Sequence, residues 1–242
     1  MRTTWALLFR RVRIRTVVIT IEEGFCLPHV DKFEKLINER TKAILICNPN
    51  NPTDYLYTQR EMNWICDFVK RYNLYLFSDE VYREFIYTGL PYISAMQLEG
   101  IKQHVVLIDS VSKCYSECGI RIGAFITKNE QVSKTFMKFC QAWLSPPLLG
   151  QLVAEASNSK ERSSIRARRT TSMWNVGNVW LMVWIVPSVA IPSVPMGAFY
   201  KVAKLPVVGE TIMQASAAGF YTSPDLGKDQ VRLAYVLCKE DL

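Results

Sequence analysis

Three short, unbroken apolar runs constrain this chain more than anything else in it: Ala43-Ile44-Leu45-Ile46-Cys47, Leu74-Tyr75-Leu76-Phe77 and His104-Val105-Val106-Leu107-Ile108. None shows the polar alternation of a strand with one wet face, so each predicts a strand buried on both sides of a sheet. Helical patterns lie between them. Thr58-Gln59-Arg60-Glu61 is a capping box, and Met62, Ile65, Val69 and Tyr72 follow it at the spacing of one helix face. Phe33, Leu36 and Ile37 give one face of a helix within residues 30–40. Further on, residues 124–127 read as a strand and 130–143 as a helix stopped by Pro146-Pro147. Strand and helix alternate, which predicts an α/β fold on a parallel sheet.

Open α/β sheets place their ligands at the carboxyl ends of the strands, and each run here closes on chemically useful residues. The first is followed by Asn48-Pro49-Asn50-Asn51-Pro52-Thr53, a turn-forming cluster that presents the Asn51 amide. The second closes on Ser78-Asp79-Glu80-Val81-Tyr82, with an acid and a phenol three residues apart. The third leads into a Ser-x-Ser-Lys-x5-Gly-x-Arg-x-Gly string holding Ser110, Ser112, Lys113 and Arg121. Singly, these residues have bland readings: a surface lysine, a loop acid, a core tyrosine. Their order at successive strand ends is more specific. A lysine held in a dry pocket near other positive charge is a usable nucleophile toward an aldehyde. The planar fork of Arg121 and the two serine hydroxyls suit phosphate oxygens. A carboxylate keeps a pyridine nitrogen protonated, and a phenol and an amide can hydrogen-bond a ring oxygen. Those are the requirements of pyridoxal phosphate.

The same strings resemble the fold-type I pyridoxal-phosphate aminotransferases, the class I/II group that includes aspartate aminotransferase. The resemblance implies a three-layer α/β large domain on a parallel or mixed sheet (18–155) and a partial α+β small domain (193–242). A stretch without resemblance (156–192) joins them. It further implies that Lys113 links covalently to the cofactor and later carries a proton, that Asp79 pairs with the pyridine nitrogen, and that Tyr82 and Asn51 contact O3′. Ser110, Ser112 and Arg121 would hold the phosphate. Gln230-Val231-Arg232-Leu233-Ala234-Tyr235 is similar to the strand whose arginine clamps the substrate α-carboxylate, a role that falls to Arg232. Pro195-Met196-Gly197-Ala198-Phe199-Tyr200 is similar to the strand opening the small domain, and Gly219-Phe220-Tyr221 to the turn before the arginine strand. The implied cofactor is pyridoxal 5′-phosphate, the implied substrates are an amino acid and a 2-oxo acid, and the implied assembly is a homodimer. A C–S lyase or a decarboxylase shares the ring chemistry and is the alternative within the cofactor class. An inactive remnant is the alternative outside it.

Members of that group are longer, and the resemblance implies that an N-terminal part of the large domain is absent here. The group has glycine after the turn threonine, whereas this chain has Asp54; a positive φ there would cost about 1 kcal/mol. The segment around 206–211 reads as shortened.

Composition excludes several other classes. An apolar content of 49% argues against disorder. The net charge of +7 suggests nucleic acid at first, but residues 1–20 carry +5 and 157–192 carry +4, which leaves −2 for the enzyme-like remainder. Both basic stretches depart from the family pattern, which suggests changes of reading frame in the encoding gene. The apolar run 179–186 is far shorter than the roughly 20 residues that cross a bilayer. Residues 5–9 are too short for a signal-peptide core, although an Arg-rich, acid-free N-terminus is also the composition of an organelle presequence. Seven cysteines form no CxxC pair and two histidines make no zinc set, so reduced thiols in a cytoplasmic enzyme are expected, with no membrane and no nucleic-acid partner.

Overall fold

The computed structural model describes residues 12–159, 175, 194–204, 215–223 and 225–235. The basic N-terminus up to residue 11, most of the 156–192 stretch with its apolar run, and the 206–211 segment lie outside the described residues. After a short helix, α1 (Val30–Glu34), come β1 (Ala43–Cys47), α2 (Gln59–Tyr72), β2 (Tyr75–Asp79) and β3 (Val105–Ser110). A one-turn helix, α3 (Val111–Cys114), leads to β4 (Gly123–Thr127), α4 (Glu130–Ala142) and α5 (Leu148–Ser159).

The three apolar runs form parallel neighbours in the order β1-β2-β3, with Cys47 in register with Asp79 and Asp79 with Ile108. Their carboxyl ends therefore lie along one edge. β4 pairs with β3 antiparallel, Ser110 against Gly123, so the sheet is mixed rather than parallel throughout. A local apolar pattern fits either direction equally well; the connection decides it. Only twelve residues separate the two strands, on the order of the shortest parallel crossover, and α3 is too short to carry the chain back across the sheet.

Helix α2 covers one face of the sheet. Its Thr58 hydroxyl accepts from the Glu61 N–H while the Glu61 carboxylate accepts from the Thr58 N–H, which closes the expected capping box. Met62, Ile65 and Val69 then pack on Ile46, Leu76 and Val105. The opposite face is not sealed as the runs predict: Leu45 is 51% exposed. Phe125 of β4 stacks on Phe136 of α4 at 3.8 Å, yet no residue of α4 is buried. The expected helix over 30–40 also proves shorter. After Glu34 the Leu36 and Ile37 amides bond to the carbonyls three residues back, and Asn38 turns the chain by accepting from the Arg40 N–H.

A second, antiparallel sheet follows. Its strands are β5 (Tyr200–Lys204), β6 (Ala215–Ser216) and β7 (Gln230–Ala234), in the order β5-β7-β6. The chain enters β5 across residues 85–87 of the first unit: Tyr87 N–H donates to Met196 O, Ala198 N–H to Phe85 O, and the Tyr87 hydroxyl to Ala198 O at 2.5 Å. Gly197 bridges Ile86 at the closest approach. An aromatic cluster of Tyr82, Phe85, Phe199, Tyr200 and Tyr235 fills the junction.

Candidate active site

The junction lies against the strand ends, and there the predicted residues gather. Tyr82 leaves the end of β2 and is almost fully buried. Its hydroxyl accepts from Asn51 Nδ2 at 3.1 Å, its ring meets Phe199 and Tyr200 edge-on, and burial pushes its pKa upward. The Asn51 Oδ1 faces the Arg232 guanidinium of β7 at 3.4 Å. Amide, phenol and guanidinium thus form one chain of contacts from three distant parts of the sequence. Lys113 approaches it from α3, with Nζ 5.6 Å from the Tyr82 ring centre and 5.4 Å from that of Phe199. Aromatic faces attract the ammonium at such distances and hold it over the junction.

Arg232 sits between two rings, Tyr200 at 4.5 Å and Phe220 at 4.8 Å from its guanidinium carbon. Its buried Nε has no hydrogen-bond partner among the described residues. A guanidinium held between two rings, with its Nε unfilled, is suited to an incoming carboxylate. Asp79 ends β2 and accepts from the Val81 N–H at 3.3 Å. Burial raises its pKa, the Val81 bond opposes this, and Asp109 and Glu80 add to it. A desolvated carboxylate with no ion-pair partner among the described residues can receive a protonated ring nitrogen.

At the other end of the string, the Ser110 and Ser112 hydroxyls lie 2.6 Å apart and Ser110 donates to Ile122 O. Arg121 is not brought into this group. It is exposed, its backbone has φ of 60°, and its guanidinium donates to Cys118 O at 2.8 Å. The predicted phosphate contacts are therefore divided, the serines gathered beneath α3 and the arginine turned to its own loop.

Asp54 lies buried beside the second sheet. It has the anticipated positive φ, 59°, and its carboxylate is buried against Lys201 of β5 at 2.9 Å. The sequence holds a signal for this pair: a lysine inside the apolar run Tyr200-Lys201-Val202-Ala203, and an acid where glycine is expected. Phe199, Tyr200 and Phe220 were not anticipated as site walls, because aromatic residues in strands read as core.

A family model for aminotransferase class I and II matches residues 7–176. The chain belongs to that family. The cofactor of the family is pyridoxal 5′-phosphate. Among relatives, a putative aminotransferase, YugH, from Bacillus subtilis is 30% identical over 198 residues, covering 78% of this chain and 48% of that protein. An aspartate aminotransferase from Pyrococcus abyssi is 27% identical over 93% of this chain and 60% of its own length. The fold matches an alanine aminotransferase from Pyrococcus furiosus with a TM-score of 0.78 at 24% identity, over 92% of this chain and 60% of that one. The chain spans about half the length of the curated relatives it matches. No helix among the described residues is long and apolar enough to cross a membrane.

Proposed function

We propose that this chain is the cofactor- and carboxylate-binding part of a pyridoxal-phosphate aminotransferase that moves an amino group between an amino acid and a 2-oxo acid. The observation that carries the reading is the contact chain Lys113, Tyr82, Asn51, Arg232 at the junction of the two sheets. When bound, pyridoxal phosphate supplies an aldehyde for covalent capture and a ring that accepts electrons from the substrate carbon.

In this reading Lys113 Nζ would hold the cofactor aldehyde and would serve as the group that moves the proton at the substrate carbon. Its Nζ is seated near two aromatic faces. Asp79 would hold a proton on the ring nitrogen, and the loss of solvent around its carboxylate would strengthen that attraction. Tyr82 and Asn51 orient the ring oxygen, the phenol already fixed by the amide. Ser110 and Ser112 would hold the phosphate, and Arg121, which here donates to Cys118 O, would be its cationic partner. Arg232 binds the α-carboxylate with donors that its stacking rings leave unfilled. The free thiols among the described residues support a reducing, cytoplasmic setting, and the family's habit supports a homodimer.

A second reading, cofactor binding without turnover, is favoured by the exposed apolar side chains Leu45, Ile126, Phe139 and Trp143. Titrating the protein with pyridoxal phosphate tests both. A shifted absorbance band that Lys113→Ala abolishes supports the site, and amino transfer from an amino acid to a 2-oxo acid separates the enzyme from the binding-only reading. A spectrum identical to free cofactor overturns the proposal.

A further inference from the structure

Two polar side-chain contacts link the turn that carries Asn51 to the sheet that carries Arg232. One is the long contact between those two side chains, 3.4 Å. The other is the ion pair Asp54–Lys201, 2.9 Å, with Asp54 1% and Lys201 5% exposed. The turn is stiff in itself: Asn50 Oδ1 accepts from both the N–H and hydroxyl of Thr53, and Asp54 N–H donates to Asn50 O. Moving Asp54 therefore moves Asn51. On the sheet side, Lys201 pairs with Leu233 in the ladder and its neighbour Val202 pairs with Arg232. Moving Lys201 therefore moves the strand segment bearing Arg232.

We propose that Asp54 and Lys201 are positioning residues, which set the spacing at which Asn51 and Arg232 meet and so shape the carboxylate site. This rests on the assignment of Arg232 to the substrate carboxylate. Stability alone gives a poor account of the pair. A buried ion pair is commonly matched or bettered by apolar residues of similar volume, and Asp54 adds a left-handed backbone that glycine would adopt without strain. What the charges add is direction: two groups on separate elements are held at hydrogen-bond distance, where apolar contact would let them slide.

The test removes both charges together, Asp54→Gly with Lys201→Met, so that neither charge is left without the other and the backbone relaxes. The whole chain is compared with this variant for its unfolding midpoint, its pyridoxal-phosphate absorbance band and its calorimetric affinity for 3-phenylpropionate, a non-reacting monocarboxylate. The variant is expected to keep its midpoint and cofactor band while carboxylate affinity falls about tenfold or more, as small misplacements do. A second variant, Asp54→Asn with Lys201→Gln, keeps a directed amide bond and is expected to retain affinity within about threefold. Unchanged affinity in the first variant overturns the inference, and so does equal loss in both. Arg232→Leu in the parent separates the two claims. If it leaves 3-phenylpropionate binding intact, the Arg232 assignment fails and this inference falls with it. If it abolishes binding while the first variant does not, only the positioning role is refuted.

Discussion

Gly197 occupies the closest approach between the two sheets, and Gly197→Ala is expected to force them apart. A Cβ there would lie 2.7 Å from both Cβ and Cγ of Pro49 and 2.9 Å from the Phe85 carbonyl oxygen. Neither neighbour is the free end of a flexible side chain. One is a ring fixed in the turn below Asn51, and the other is backbone already accepting from Ala198 N–H. Ordinary van der Waals contact begins at 3.4 Å, so the gap must open by about 0.7 Å. Backbone bonds from Tyr87 and Ala198 hold the segment on both sides of Gly197 and resist that movement. Overpacking of this kind costs about 1–3 kcal/mol. With a urea slope of about 1–3 kcal/mol per molar, the unfolding midpoint should fall by roughly 1 M. Gly119→Ala is the control, since nothing lies within 4 Å of its added methyl, and its midpoint should hold or rise slightly. The displacement should also lengthen the Asn51–Arg232 contact and weaken carboxylate binding. A Gly197→Ala protein as stable as the parent would show that the sheets are not in the close contact on which the site depends.

Three other expectations follow from single side chains. Thr58→Ala removes half of the capping box at α2 and should cost about 1 kcal/mol in urea unfolding; Glu61→Ala should cost more, about 2–3 kcal/mol, because the same carboxylate also accepts from Leu27 N–H and the Tyr55 hydroxyl. Burial pushes the Asp54 carboxyl up to about 7 against the opposing pull of Lys201, so between about pH 4 and pH 7 the native state binds more protons than the unfolded chain. Stability from this group is greatest below the unfolded value and is lost as pH rises through that window, and Asp54→Asn should flatten the slope of midpoint against pH. A slope unchanged by the substitution would refute the assignment.

Much of the first sheet was legible in local pattern. Each apolar run became a strand, Thr58 and Glu61 capped α2 as their spacing requires, and Asn51, Tyr82 and Lys113 came together because parallel strands in register end along one edge. Such features depend on neighbours a few residues away, and periodicity records them. The direction of β4 is not written in its own residues, since an apolar pentapeptide pairs either way. Nor could the runs tell that one face of the sheet would be left open at Leu45. Arg232 between Tyr200 and Phe220, and the buried pair of Asp54 with Lys201 across 147 positions, exist only after the small sheet has docked. The sequence by itself determined which residues could do the chemistry and at which strand ends they would stand. Tertiary structure decided their distances and partners, because burial and ion pairing depend on contacts between segments that no local period encodes.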